Sequence, residues 1–528
     1  MKCHLLISLF LMPSIFLAQP PAGNPWNADP DPDANITYRN PVIPGFYSDP
    51  SVCRVGDDYY LITSSFEYFP GIPVFHSKDL IHWAQIGNVI NRAEQVPRGI
   101  NIFAPTLRYH QGTYYMITTN IVGGGNFYVT AKKAAGPWSD PVYVDIEGID
   151  PDLFFDENGK VYVISSTFEL CEINLQNGTL VGEKRKVWNG TGGRYPEGPH
   201  IYKKDGYYYL MAAEGGTEEA HSETIARSNT IWGPYTENPA NPILAHANAA
   251  GQGNPIQGVG HADMIQAHDG SWWMVFHGYR SVTGYPAHHI LGRETCLAPV
   301  TWPRGGWPVV NGNGVVQVDM TCPTLPQVIL SSPPGHLEFD HPLGLEWNYI
   351  QPPVTTNYQI KDGHLSMIGT ELTIGQEGSP TFVGRRLTDK RFTTTVRLDF
   401  DPKKENEEAG IILLNNGSHF DLMVTSDKGK QYVVVRLQFG RTHYTSREML
   451  LQPGPVDLRI SLNDAVFTFA YAQDGNPFHE IDRADARFLS SETVGWFTGV
   501  YIGMYATGNG QPGETPAMYD WFDYQGND

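Results

Sequence analysis

A chain of 528 residues is too long for one ordinary domain, and an apolar fraction of 41% supplies enough material for packed cores. The formal net charge of −20 argues against nucleic acid and anionic membranes as partners. Only 17% of the residues are charged while 28 are Tyr and 12 are Trp, a balance that suits a β-rich exported protein whose rings build sheets and stack on sugars.

Lys2, the apolar run 5–17 and then Ala18-Gln19-Pro20 read as a signal peptide over 1–18, so the mature protein is expected to be secreted, or periplasmic in a bacterium. No other apolar run is long enough to span a bilayer. Residues 19–38 are rich in Pro, Asp and Asn and read as an extended lead-in. Cys53, Cys171, Cys296 and Cys322 remain in the mature chain at spacings that fit no metal site, and Cys296 with Cys322 is the first pairing to test against buried thiols.

From 39 to 320 an aromatic strand recurs: Tyr59-Tyr60-Leu61-Ile62, Tyr114-Tyr115-Met116-Ile117, Val161-Tyr162-Val163-Ile164, Tyr207-Tyr208-Tyr209-Leu210 and Trp272-Trp273-Met274-Val275. Gly precedes four of these five copies by two or three residues, where a hairpin turn needs it. Several short strands in a period of roughly 45–65 residues are the signature of a β-propeller. Counting back 11 or 12 residues from the last aromatic of each copy gives Asp49, Ala104, Asp150, Glu197 and His261. The first strand of each propeller blade lines the axis, so three carboxylates and a histidine are expected to meet at one mouth.

Residues 321–336 are Pro- and Ser-rich and read as a linker. Beyond it, over 337–528, alternating strands are predicted at 392–400, 410–414, 420–425, 432–439, 456–462, 466–471 and 500–505, which suggests a two-sheet sandwich. Strict alternation would send Trp496 and Phe497 to opposite faces, one into the sandwich core and one outward. No segment carries helical periodicity, so the class is all-β.

Two carboxyls facing one bound sugar cleave a glycosidic bond, one as acid and one as base. The Asp150 charge is expected to keep Glu197 protonated as the general acid. Asp49, two blades away, leaves room for water as the general base, and a separation on the order of 6.5–9.5 Å predicts inversion. Each Asp-Pro pair also reads as a plain turn former, and Asp152 competes with Asp150. His261 suits a polar role on the axis rather than a metal ligand, since no second His or Asp stands at metal spacing. Arg293 suits a sugar hydroxyl, a carboxylate or a structural ion pair.

Several long motifs in order carry a family resemblance. Asn40-Pro41-Val42-Ile43-Pro44-Gly45-Phe46-Tyr47-Ser48-Asp49-Pro50-Ser51, Ser65-Phe66-Glu67-Tyr68-Phe69-Pro70-Gly71, Glu197-Gly198-Pro199-His200, His221-Ser222-Glu223-Thr224-Ile225-Ala226-Arg227-Ser228 and Leu291-Gly292-Arg293-Glu294-Thr295 resemble glycoside hydrolase family 43. The resemblance implies a five-bladed β-propeller followed by a β-sandwich, a concanavalin-like jelly roll, as in two-domain β-xylosidases and α-L-arabinofuranosidases. It implies an inverting mechanism with Asp49 as base, Asp150 tuning and orienting, and Glu197 as acid. Sugar contacts from Phe66, His261 and Arg293 follow, and Trp496-Phe497-Thr498-Gly499 resembles the segment that lays an aromatic ring over the pocket mouth and so enforces exo action. No cofactor is required, while a calcium ion on the axis near His261 is allowed.

Where many β-xylosidases of this type have Trp-Ala-Pro-Asp, this chain has Phe103-Ala104-Pro105-Thr106, which alters the subsite. Together with Tyr505-Ala506-Thr507-Gly508-Asn509-Gly510, this leans the expectation toward terminal α-L-arabinofuranose over β-D-xylopyranose, on arabinoxylan or xylo-oligosaccharide. The rival readings are an endo-arabinanase or other propeller glycosidase, and a sugar-binding propeller without catalysis.

Overall fold

The computed structural model describes residues 36–247, 253–284, 286–322, 325, 335–446 and 449–527. The signal segment, nearly all of the lead-in and most of 323–334 lie outside the described residues.

Five antiparallel sheets follow one another along the chain, from Ser51–Val55 to Ala84–Ile90, Thr106–His110 to Val142–Tyr143, Asp152–Phe155 to Thr179–Lys186, Glu197–Lys204 to Leu244–Ala245, and Ile256–Gln266 to Val309–Val310. The first strand of each touches the first strand of the next, and the fifth touches the first, so the sheets are blades around an axis. Every aromatic copy is the second strand of its blade: Asp58–Ile62, Thr113–Asn120, Val161–Ile164, Tyr207–Glu214 and Trp272–Arg280.

These second strands are apolar on successive residues because both of their faces are covered. Leu61 packs with blade five and Ile62 with blade two, Met116 with blade one and Ile117 with blade three. Tyr209 and Leu210 divide in the same way between the cores on either side of blade four. A strand sandwiched between neighbours reads as a continuous hydrophobic run, which is why the repeat is visible in the sequence.

The ring is latched by the residues before blade one. Ile36–Arg39 pairs with Asp319–Cys322. The Asn40 amide donates to the Leu297 carbonyl at 3.0 Å and accepts from the Leu297 N–H at 2.8 Å, and Tyr38 Oη donates to the same carbonyl at 3.0 Å. Among the described residues Cys53, Cys171, Cys296 and Cys322 are buried thiols, so the Cys296–Cys322 pairing is not made.

The C-terminal part is a sandwich of an eight-stranded and a seven-stranded antiparallel sheet. All seven strands read from alternation are present, with ends shifted by up to two residues. It is bonded tightly to the propeller. Tyr349–Ile350 pairs with Tyr68–Phe69, the Tyr68 and Tyr501 rings stack at 3.7 Å, and Ile290 and Leu291 of blade five sit within the sandwich core. The only α-helical turn among the described residues is Ser491–Val494.

Candidate active site

Strand register defines which residues are equivalent. Ser51 pairs with Ile62, Thr106 with Ile117, Asp152 with Ile164, His200 with Met211 and Asp263 with Val275. Two residues ahead of these stand Asp49, Ala104, Asp150, Gly198 and His261. Four of the five are left-handed, with φ of 55° at Asp49, 54° at Asp150, 57° at Gly198 and 48° at His261. A left-handed residue, ahead of the strand at Asp49 and Asp150 and at a register shift within it at Gly198 and His261, breaks the ladder locally, and such strained positions cluster at functional sites. Glu197 therefore sits one residue ahead of the equivalent place, which Gly198 holds. The register shift between Glu197 and His200 is what re-aims the carboxylate into the mouth. Gly198 is needed there on a second count, because a Cβ would stand 2.9 Å from His261 Nε2.

Of the five residues at the head of the inner strands, Ser51, Asp152, His200 and Asp263 gather in one ion-paired cluster around Arg108. Arg108 places Nη1 2.8 Å from Asp263 Oδ2 and Nη2 3.0 Å from Asp152 Oδ1. The same guanidinium lies 3.0 Å from His200 Nδ1, and Ser51 and Tyr202 hydroxyls donate to Asp263 at 2.7 Å each. Asp152 thus belongs to this ion-paired plug and not to the pocket. Among the described residues no group of three or more His, Cys, Asp or Glu stands where it could hold a metal ion.

Above the floor, Asp49, Asp150, Glu197, His261, Arg293, Phe66, Phe103 and Phe497 line one cavity of about 80 Å³, with Ala104, Ile149 and Thr217. Every site residue expected from the sequence is brought together here. A larger open hollow of about 830 Å³ lies off the axis beside Glu214, whose carboxylate is taken up by Thr191 and Gly193 N–H groups.

Asp49 is gripped on both oxygens. Arg293 Nη1 donates to Oδ1 at 2.8 Å, and the Ser64 and Ser48 hydroxyls donate to Oδ2 at 2.6 and 2.9 Å. His277 Nδ1 lies 3.0 Å from Oδ1. Burial pushes the Asp49 carboxyl up, but the Arg293 charge, the His277 hydrogen bond and the neighbouring histidines outweigh it and hold the group well below the carboxylate range. Arg293 also donates to Thr217 Oγ1 at 3.0 Å, so it orients a carboxylate.

Asp150 accepts from the Gly198 N–H at 3.3 Å. Burial and the charges of Glu197 and Asp49 push it well above the ordinary range. Burial raises Glu197 too, but a His221 hydrogen bond and the charges of His221, His261 and Arg293 outweigh it and hold that carboxyl below its usual value. Like-charge repulsion leaves one proton for the pair, and His221 bears on its place: a donating imidazole favours ionised Glu197, an accepting one protonated Glu197. The Glu197 side chain is 20% exposed against 4% for Asp49, so Glu197 faces the opening and Asp49 the interior.

Aromatic rings make the wall and roof. Phe66 lies 5.1 Å from Phe103 and 6.0 Å from Phe497, and the Arg293 guanidinium is 5.7 Å from the Phe497 ring. The alternation expected for Trp496 and Phe497 fails, since these residues are not in a strand. The Ser490 side chain caps the Ser491–Val494 turn, Gly495 ends it at φ 73°, and both rings then point at Phe66 on the propeller. The loop is fixed to blade five by Val500 N–H to Ile290 O at 2.7 Å and by Glu492 on His289 Nδ1 at 2.6 Å.

Sequence reasoning missed Ser64, Thr217, His221 and His277, all of which touch a site carboxylate or its arginine. His221 opens a quoted motif, and His277 interrupts an apolar strand, which was the available signal.

The profile of Glycosyl hydrolases family 43 matches residues 38–308, and that of the Beta xylosidase C-terminal Concanavalin A-like domain matches 337–525. The chain is 45% identical over 510 residues to the non-reducing end alpha-L-arabinofuranosidase BoGH43B of Bacteroides ovatus, covering 93% of this chain and 95% of that one. It is 37% identical over 518 residues to a xylosidase/arabinosidase of Butyrivibrio fibrisolvens, covering 92% and 99%. The solved structure of GH43B from a Bacteroides ovatus xyloglucan PUL superposes with a TM-score of 0.89 at 43% identity, covering 93% of this chain and all of that one. A ring of five blades, carboxyls gathered at its mouth and a concanavalin-like sandwich locked against it thus go with a match across nearly the whole described chain: this protein belongs to glycosyl hydrolase family 43 and is a glycosidase acting on O-glycosyl bonds.

Proposed function

We propose that the protein is an exported, exo-acting and inverting glycosidase that removes terminal α-L-arabinofuranosyl residues from arabinoxylan-type polysaccharide or its oligosaccharides, with terminal β-D-xylopyranosyl as its second substrate. The observation that carries the reading is one small pocket, closed below by the Arg108 plug and roofed by Phe497, with an interior carboxylate and an outer one. Such a pocket takes one terminal ring and excludes the middle of a chain, which speaks against an endo-arabinanase. Relatives named as arabinofuranosidase and as xylosidase/arabinosidase support the choice of sugars.

Asp49, ionised and fixed by Arg293, takes a proton from water as that water attacks the anomeric carbon. Glu197, at the opening where the rest of the chain must lie, gives its proton to the glycosidic oxygen as the bond breaks. Asp150 sits between them and binds sugar hydroxyls, and Phe66 and Phe103 shape the wall. No cofactor takes part. A calcium ion near His261 is assigned no role in these steps, and Arg108, paired with Asp152 and Asp263, supplies positive charge among the inner strands. Export rests on the composition of residues 1–18.

Incubation with 4-nitrophenyl α-L-arabinofuranoside and β-D-xylopyranoside, and with arabinoxylan and xyloglucan, tests the sugar and the polymer. Proton NMR of the first product should show the inverted anomer, and a retained anomer would overturn the mechanism.

A further inference from the structure

Among the described residues five large apolar side chains sit on left-handed backbone: Phe66, Ile72, Leu80, Phe168 and Tyr195. Bulky residues are costly in that conformation, and they persist only where the surrounding structure imposes it. For the first four the imposing structure is the core, since each is 2% exposed or less. Tyr195 has φ 48° and is 69% exposed. A single apolar ring at a surface needs no explanation, but a strained one held out in solvent does. No core packing fixes Tyr195, so the loop that carries it must.

That loop is pinned on both sides of the ring. Ahead of it, the Glu214 carboxylate accepts from the Gly193 N–H at 2.7 Å and from the Thr191 hydroxyl at 2.8 Å. The Gly215 N–H donates to the Arg194 carbonyl at 2.8 Å, and the Arg194 guanidinium donates to the Gly215 carbonyl at 3.1 Å and to Glu218 at 3.0 Å. The same guanidinium lies 5.4 Å from the centre of the Tyr195 ring, and a Cβ on Gly216 would stand 3.3 Å from Cδ2 of that ring. Behind it, Pro196 has one backbone torsion closed by its own ring and links Tyr195 directly to Glu197. Thr217, next after Gly216, lines the pocket and accepts from Arg293. Tyr195 thus stands on the rim, between Glu197 and the Gly216-Thr217 turn.

We propose that the Tyr195 ring is a stacking platform for the leaving side of the substrate, the pyranose unit to which the terminal sugar is attached. The proposal rests on the reading of Glu197 as the acid that meets the glycosidic oxygen. Both sugars share that oxygen, so the second one must lie outside the pocket beside Glu197, where the ring stands. One face of a pyranose is lined by C–H groups, flat and apolar, and an exposed phenol ring covers it without needing a hydrogen bond. A ring already fixed in place loses little freedom on binding, which is what the pinned loop secures. Phe497 selects for the end of a chain, and Tyr195 for what that end is attached to. No bond forms or breaks at Tyr195: it holds the leaving sugar where Glu197 can protonate the departing oxygen.

The test gives the whole protein two substrates that differ only on the leaving side: an arabinofuranosyl-substituted xylo-oligosaccharide, and methyl α-L-arabinofuranoside, whose methyl group is too small to cover the ring. Tyr195→Gly removes the ring and suits left-handed backbone, so it tests stacking apart from strain. The ratio of kcat/KM on the oligosaccharide to that on the methyl glycoside is expected to fall about three- to tenfold, the worth of one aromatic contact. Tyr195→Phe keeps the aromatic face and is expected to keep the parent ratio. An unmoved ratio in folded Tyr195→Gly overturns the platform. So does a Phe variant that falls as far as the Gly variant, which would place the effect in the hydroxyl. If the Gly variant does not fold, Tyr195→Asn, also at home in that conformation, carries the same comparison. Failure of the underlying reading shows separately, as a parent idle on both substrates or as ordinary oligosaccharide turnover by Glu197→Gln, whatever the Tyr195 variants do.

Discussion

Arg293 has two tasks that pull the same way: it orients the Asp49 carboxylate and keeps it ionised. A base must be ionised to work, so activity falls as pH drops through its pKa, and anything that raises that pKa raises the acidic limb. Arg293→Gln is therefore expected to move the acidic limb of kcat/KM to higher pH, besides lowering the rate. An acidic limb that stayed in place would show that the guanidinium is not what keeps Asp49 ionised. Glu197→Gln is expected to cost about 10²–10⁴-fold on natural glycosides and much less on substrates with a good leaving group, since acid catalysis matters most for poor ones. Equal losses on both classes, with unchanged binding, would remove Glu197 from the role of acid. Asp49, Asp150 and His261 could be read from the sequence because one register places all three. Glu197 was found by a count that was off by one, since a bulge is invisible in spacing. His221 and His277 could not be found that way, as His277 lies in a second strand and His221 just ahead of Ser222–Ser228, and they meet the carboxyls only through tertiary packing.

The element that decides what enters is the segment from Ser490 to Val500. Its path was not legible, because a four-residue helical turn closed by Gly495 replaces the strand that alternation suggested. Phe497→Ala should raise KM for short oligosaccharides and weaken the preference for chain ends, with little change in affinity for insoluble polymer. Unchanged small-substrate kinetics with lost polymer binding would point instead to a separate binding module. The neighbouring Trp496 Nε1–H donates to Glu67 Oε2 at 3.4 Å, and burial pushes the Glu67 carboxyl up to about 7. A carboxyl whose pKa is raised by folding contributes stability that is fully present below its unfolded value and lost as pH rises through the folded one. Glu67→Gln should accordingly raise Tm at pH 8 relative to the parent and give no gain near pH 4. A gain of the same size at both pH values would mean that ionisation of Glu67 is not the cause.

On the scale of the whole molecule the two parts are one body. The five aromatic strands were legible because a blade covered on both sides leaves a continuous apolar run, and the sandwich strands because they alternate. Their mutual packing was not, since Phe46, Phe66 and Tyr68 meet Ile374, Phe382 and Ile412 only in the folded chain. Removing residues 337–528 would bare this cluster together with Ile290 and Leu291, a patch of the kind that drives aggregation. The truncated chain is expected to be insoluble or aggregated in size-exclusion chromatography, and a soluble, active propeller would contradict that.

The floor of the pocket sets the rhythm of the enzyme. Because the Arg108 plug leaves no exit along the axis, the released sugar has only the doorway through which the substrate came, and the shortened chain stands in it. Each cut must therefore end with the polymer letting go before the monosaccharide can leave. On the proposed exo reading such an enzyme is expected to be distributive rather than processive, trimming many chains by one unit each instead of stripping one chain to its end, with its own free sugar product competing for the same seat.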